Sequence, residues 1–255
     1  MSDPRAAIFA AVRSAAPAGL FNDAGNVLAL DNLLDAFGIA RAGAPAARTR
    51  AVSPAAFFAH LHAGKYLGPA LSEAEVQGCE AILAACGNAG WPIADTAYAL
   101  ATAWHETAST MQPVHERGGP AYLRRMYDIK GARPTKAREL GNLFEGDGIR
   151  YAGRGYVQLT GRANYAKAGA ALGIPLEESP DLAEQPQHAA AILVRGMREG
   201  WFTGRDLDDD LPRVGSATLA QFIASRDIIN GRDKAEAIAQ AALHFQDALA
   251  AGNWS

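Results

Sequence analysis

Ile93, Ala97, Leu100, Trp104 and Ala108 recur at intervals of four, three, four and four residues. At 100° per residue these side chains share one stripe of a helix. Pro92 suits the first helical position, so the spacing predicts one helix from there to Ala108, with its apolar face covered by other elements. Most of the remaining chain offers helices to do so. Apolar periods predict helices over 6–14, 164–172, 187–199, 219–228 and 233–249, with Ile238, Ala242, Phe245 and Leu249 on one face of the last. Gly173, Gly200 and Asn230-Gly231 supply stops.

Residues 54–87 echo residues 5–38 at an offset of 49: Gly19 falls on Gly68, Val27 on Val76, Leu34 on Leu83 and Gly38 on Gly87. A duplicated helical hairpin and two unrelated amphipathic hairpins both account for this. In the earlier copy, Val27, Leu30, Leu33, Leu34 and Phe37 have helical spacing. In the later one, Ser72 and Glu75 form a capping box. Residues 39–52 lack an apolar period and read as a linker. Residues 1–50 are thus expected to form a small N-terminal helical element with a linker, and 51–255 the main domain.

Between 109 and 148 the period fails and turn residues dominate, so this stretch reads as loop. Residues 149–160 carry β-type residues around Gly153-Arg154-Gly155 and predict a short hairpin. The expected fold is mainly α with one small β-hairpin.

The net charge of −3 argues against a nucleic-acid partner. Cys79 and Cys86 lie about 10 Å apart along a predicted helix, too far for a disulfide, and read as buried hydrophobes. No basic, apolar leader opens the sequence, and no apolar run approaches a membrane span. A soluble, cytoplasmic chain without stable membrane insertion is expected.

Glu106 lies opposite the apolar stripe, where a glutamate is ordinarily solvated. It also occupies the last helical turn, where the macrodipole disfavours a carboxylate and suits an acid that must hold its proton. Glu116 follows ten residues later, past the helix end. A loop carboxylate facing a helix carboxylate is the arrangement of glycosidases; Glu145 and Asp147 are rival second acids. His105 and His115 lack the spacing of a zinc-protease pair, so no metal site is expected. In the segment 153–165, Gln158 and Thr160 would share a polar face of the hairpin, able to hold a water and a sugar, and its glycines permit close approach of backbone or ligand.

The stretches ALATAWHETASTMQPVHERGG, GDGIRYAGRGYVQLTGRANY and IINGRD resemble glycoside hydrolase family 19, which includes plant-type chitinases and phage endolysins. The resemblance runs from about Ala56 to Ala250. It implies a lysozyme-like α+β fold, two helical lobes flanking a cleft, and an inverting mechanism without a cofactor. By position Glu106 matches the general acid, Glu116 the general base, and Thr160 the hydroxyl that holds the attacking water. Gln158, Asn164 and Asn230 match sugar-binding positions, and His105, Tyr156 and Tyr165 join that set. The disulfides and several long loops of the plant enzymes are missing. That favours an endolysin cutting peptidoglycan over a chitinase: a monomer held in the cytoplasm until a holin releases it. A sugar-binding protein without catalysis is the rival from another class.

Overall fold

The computed structural model describes residues 4–22, 26, 30, 33, 34, 50–68, 70–229, 231 and 233–254. Much of the expected second helix of residues 1–50, most of the linker, and Asn230 lie outside the described residues. The described chain is mainly helical, with one two-stranded antiparallel sheet.

Helix α1 spans Pro4–Ala15. Helix α2, Pro54–Gly64, starts on a proline, buries Phe57 and Leu61, and stops at Lys65 in the left-handed region. Helix α3, Glu73–Asn88, opens with the expected capping box: Ser72 Oγ accepts from the Glu75 amide at 3.2 Å, and Glu75 Oε2 accepts from the Ser72 amide at 2.7 Å. Its Cys79 and Cys86 are free, buried thiols. Burial is the main cause that pushes both thiols well above their usual range.

Helix α4, Ile93–Glu106, is the centre of the body. A one-sided stripe predicts a solvated opposite face, yet residues 94–103 are buried all round. Alanines explain the difference. Ala94, Ala97, Ala99, Ala101 and Ala103 leave room for close neighbours, and α11, Ala235–Ala251, answers with buried Ala235, Ala239, Ala242 and Ala248. Ala108 lies beyond the helix end and is exposed, so it is not part of the buried stripe.

Enclosing α4 also buries Asp95. Burial lifts its carboxyl to about 6, against the opposing pull of the Arg198 guanidinium with which it pairs. A folded-state value above the unfolded one means that the folded chain binds the proton more tightly. This contribution to stability is therefore present at low pH and declines as pH rises from about 4 to 6. Relative to Asp95→Asn, the wild type should lose on the order of 3 kcal/mol across that window. Paired thermal melts at stepped pH measure this; a pH-independent difference between the two proteins would contradict it.

Helix α8, Arg162–Leu172, ends on Gly173 as expected, and α9, Pro186–Arg198, packs on α3. Helix α10, Leu219–Ala224, passes into a 3-10 turn at Ser225–Ile228 rather than continuing as one helix.

The stretch read as loop contains three short helices: α5, Gly119–Tyr127; α6, Pro134–Glu139; and α7, Asp147–Arg150. Helices α6 and α7 are too short to display an apolar period, and α5 opens on Gly118-Gly119-Pro120, which reads as a turn. They form a small lobe whose buried Leu123 and Ala137 stand apart from the main hydrophobic cluster. Polar groups organise it instead. Asn142 donates to Tyr127 O at 2.9 Å and accepts from the Arg162 amide at 2.8 Å, and Asp128 Oδ2 accepts from the Gly146 amide at 2.7 Å.

The sheet also differs from expectation. Strand β1 is Val114–His115 and β2 is Arg154–Gly155, in register Val114↔Gly155 and His115↔Arg154. Only a single bridge, Arg154↔Leu159, closes locally within 149–160. The pairing partner thus comes from about forty residues upstream, and strands of two residues carry almost no alternation to reveal it. No described helix is long and apolar enough to cross a membrane.

Candidate active site

Glu106 is the last residue of α4 and keeps 19% of its side chain exposed. The chain then turns sharply. Thr107 Oγ1 donates to Ala103 O at 2.7 Å and accepts from the Met111 amide at 3.0 Å. Ala108, Ser109 and Met111 all adopt positive φ without being glycine. Such backbone persists only where its surroundings fix it, and it is concentrated at functional sites. This turn redirects the chain from Glu106 into β1 and on to Glu116.

Glu116 leaves β1 with its amide donating to Gly153 O at 2.7 Å. Its carboxylate accepts at both oxygens: Oε1 from the Tyr127 hydroxyl at 2.8 Å, Oε2 from the Gly153 amide at 3.0 Å. Burial and the hydrogen bond to Glu116 push the Tyr127 phenol above its usual range, so it remains a donor. Both carboxylate oxygens thus act as acceptors.

Gly153 is the meeting point. A Cβ placed there would lie 2.8 Å from Gln158 Oε1, 3.0 Å from Glu116 Oε2 and 3.1 Å from Thr160 Oγ1. Three oxygens from separate positions therefore surround the point where a Cβ would stand, and the missing side chain is what admits them. Gln158 is not on an extended hairpin face, because its φ is 53°. Its amide instead donates to Val114 O at 3.0 Å and Gly155 O at 3.2 Å, tying the turn to β1. Thr160 gives its proton to Gln158 O at 3.0 Å, which leaves its oxygen lone pairs available to an incoming donor such as water. Asn164 braces this from α8 by donating to Thr160 O at 2.7 Å.

The other expected residues divide. His105 is half-buried beside Glu106. Tyr156 and Tyr165 are both fully buried, so neither is presented to a sugar in this conformation. The Tyr165 hydroxyl donates to Ala152 O and accepts from buried Arg154. Aromatic residues in the expected sugar-binding segment would suit stacking on a ligand, but here both rings are buried. Glu145 is exposed and paired with Lys130 at 2.7 Å. Asp147 is buried. Burial alone would raise its carboxyl, but hydrogen bonds from Arg162 and from the Phe144 and Leu143 amides hold it below the usual range. Both rivals to Glu116 thus have structural partners.

Two participants were invisible in the sequence. Tyr127 lies at the end of a helix that the sequence does not announce. Arg226 comes from the 3-10 turn after α10, is 3% exposed, and donates to Glu106 Oε1 at 3.2 Å. Tyr98 pins that turn by donating to Ser225 O at 2.6 Å. At the end of α4 the carboxylate therefore meets a buried guanidinium from a distant turn.

No family model and no curated protein matches this chain.

Two cavities flank the region without containing either glutamate. One of about 540 Å³ is bordered by His115, Arg154 and Asp181. The other, about 340 Å³, lies between α2, α4 and α11 against Trp104, Tyr66 and His244. Among the described residues no group of three or more His, Cys, Asp or Glu is placed to hold a metal ion.

Proposed function

We propose that the chain is an inverting glycoside hydrolase cleaving β-1,4 bonds in a polysaccharide containing N-acetylglucosamine, with peptidoglycan as its substrate. The observation that carries this reading is the convergence of Glu116, Thr160 and Gln158 on Gly153. It supplies a hydrogen-bonded carboxylate and a hydroxyl acceptor within reach of one water. In the proposed reaction Glu116 takes a proton from that water, which Thr160 orients. Glu106 gives its proton to the glycosidic oxygen on the opposite face of the sugar. An inverting enzyme needs its two carboxyl groups roughly 6.5–9.5 Å apart to leave space for the water. For Glu106 to act as the acid it must carry a proton when substrate is bound. Substrate entry would then loosen the single Arg226 contact, and Oε2, which has no protein partner among the described residues, is the oxygen free to face the leaving group.

Product analysis tests the reading. Digestion of purified peptidoglycan should release fragments with new reducing sugar ends, seen by mass spectrometry, and the first anomer seen by NMR should be inverted. Cleaved amide bonds would overturn it, and activity on chitin oligomers alone would move the substrate to chitin. Chelator should leave the rate unchanged.

Gly153→Ala tests the carrying observation. The new methyl group would press on all three oxygens, which must give by a few tenths of an ångström; a misplacement of about 1 Å can cost on the order of a hundredfold in turnover, so these smaller shifts should cost about tenfold. We expect that loss with a native circular dichroism spectrum. Wild-type turnover in a folded variant would disconnect the cluster from catalysis.

A further inference from the structure

The small lobe differs in charge from the rest of the chain. Residues 117–150 contain eight Lys and Arg against four Asp and Glu, in a protein of net charge −3. Two of the four acids, Asp128 and Asp147, are buried, and the other two are matched: Glu145 with Lys130 and Glu139 with Lys136. Arg117, Arg124, Arg125, Arg133 and Arg138 are exposed and form no ion pair among the described residues. The fold gathers several of them. The Ala132 amide donates to Arg125 O at 2.8 Å, and Gly131 sits so close to Arg124 O and Arg125 O that a Cβ would collide with both. This brings Arg133 beside the end of α5.

The same lobe holds two large apolar side chains in water. Leu143 is 58% exposed and Phe144 63%. They are not on a loose tip. Asp147 Oδ2 accepts from both of their amides at 3.0 Å, Arg162 stacks on the Phe144 ring at 5.2 Å, and the Lys130–Glu145 pair fastens the next residue. A buried carboxylate thus fixes the backbone that projects an adjacent apolar pair.

We infer that this lobe is a docking surface for an anionic lipid bilayer, with Leu143 and Phe144 entering the headgroup boundary and the unpaired arginines facing the phosphates. Charge complementarity selects the partner: unpaired cations attract an anionic leaflet, and the exposed apolar side chains of the same lobe gain by partial burial in it. A soluble polyanion would use the arginines but leave the apolar pair idle. The surface uses none of the side chains assigned to the carboxylate site, although Tyr127 at the end of α5 links the lobe to Glu116.

The test is co-sedimentation of the full chain with vesicles of phosphatidylcholine alone or with about one quarter phosphatidylglycerol, at about 0.1 M salt. We expect at least roughly tenfold tighter binding to the anionic vesicles. Leu143→Ser with Phe144→Ser should weaken that binding about tenfold or more, and Arg124→Gln with Arg125→Gln should do the same. All four positions are exposed, so both double variants should keep the wild-type melting temperature and the wild-type rate on soluble oligosaccharides. Equal binding to both vesicles, or none, would overturn the inference. So would unchanged vesicle binding by the Leu143/Phe144 variant, or tighter binding to a soluble polyanion such as dextran sulfate that is indifferent to those two residues.

Discussion

Glu106→Gln and Glu116→Gln should each lower turnover on peptidoglycan by about a hundredfold to ten-thousandfold, the range that positioned acid–base groups contribute. The two variants separate the roles. At Glu116 the amide keeps one oxygen for either Tyr127 or the Gly153 amide, but it can take no proton from water. At Glu106 the amide oxygen can still accept from Arg226, so folding should be preserved while proton donation is lost. A substrate with an activated leaving group needs less help from an acid. On such a substrate Glu106→Gln should recover much of its rate and Glu116→Gln should not. Recovery by both variants, or by neither, would contradict this division of labour, and an unchanged rate in Glu106→Gln would remove Glu106 from the mechanism.

Asp147→Ala should be the most damaging single change to the fold of the small lobe. The carboxylate lies buried between Arg162, which it meets at 2.6 and 3.1 Å, and the Leu143 and Phe144 amides. Truncation strands a guanidinium and two amide donors at once. Removing one partner of a buried ion pair typically costs about 3–5 kcal/mol. Arg162 retains partial exposure and a second partner in Glu177, so the lower end applies. A fall in Tm on the order of 10 °C follows for a chain of this size. Hydrogen exchange should accelerate first in residues 119–150, because Leu123 and Ala137 are outside the main core. Loss of protection that is uniform across α4 and α11 would show that the lobe has no separate stability.

Long elements were readable because their apolar residues repeat often enough to form a pattern. The α4 stripe, the Ser72–Glu75 cap, the Gly173 stop and the buried face of α11 all follow from spacing. Short elements were not readable. Helix α5 has only about two and a half turns and opens on a Gly-Gly-Pro turn signal, α6 and α7 have fewer than two turns, and a two-residue strand does not alternate. Burial around alanine was also hidden: a methyl group suits a close helix contact and a solvent face alike, so the enclosure of α4 by α11 leaves no mark in α4's own sequence. Gly153 was a partial success. Its freedom to admit a close neighbour was legible, but which neighbours it admits was not.

By itself the sequence determined a mainly helical chain, two buried thiols, and the order in which Glu106, Glu116, Gln158, Thr160 and Asn164 occur, because local periodicity and motif spacing are properties of neighbouring residues. The tertiary structure alone decided that Arg226 stands against Glu106, that Tyr127 and the Gly153 amide hold Glu116, and that Tyr156 and Tyr165 face inward. Those contacts join residues 11 to 120 positions apart, and no local pattern encodes which distant side chain the packing will bring alongside.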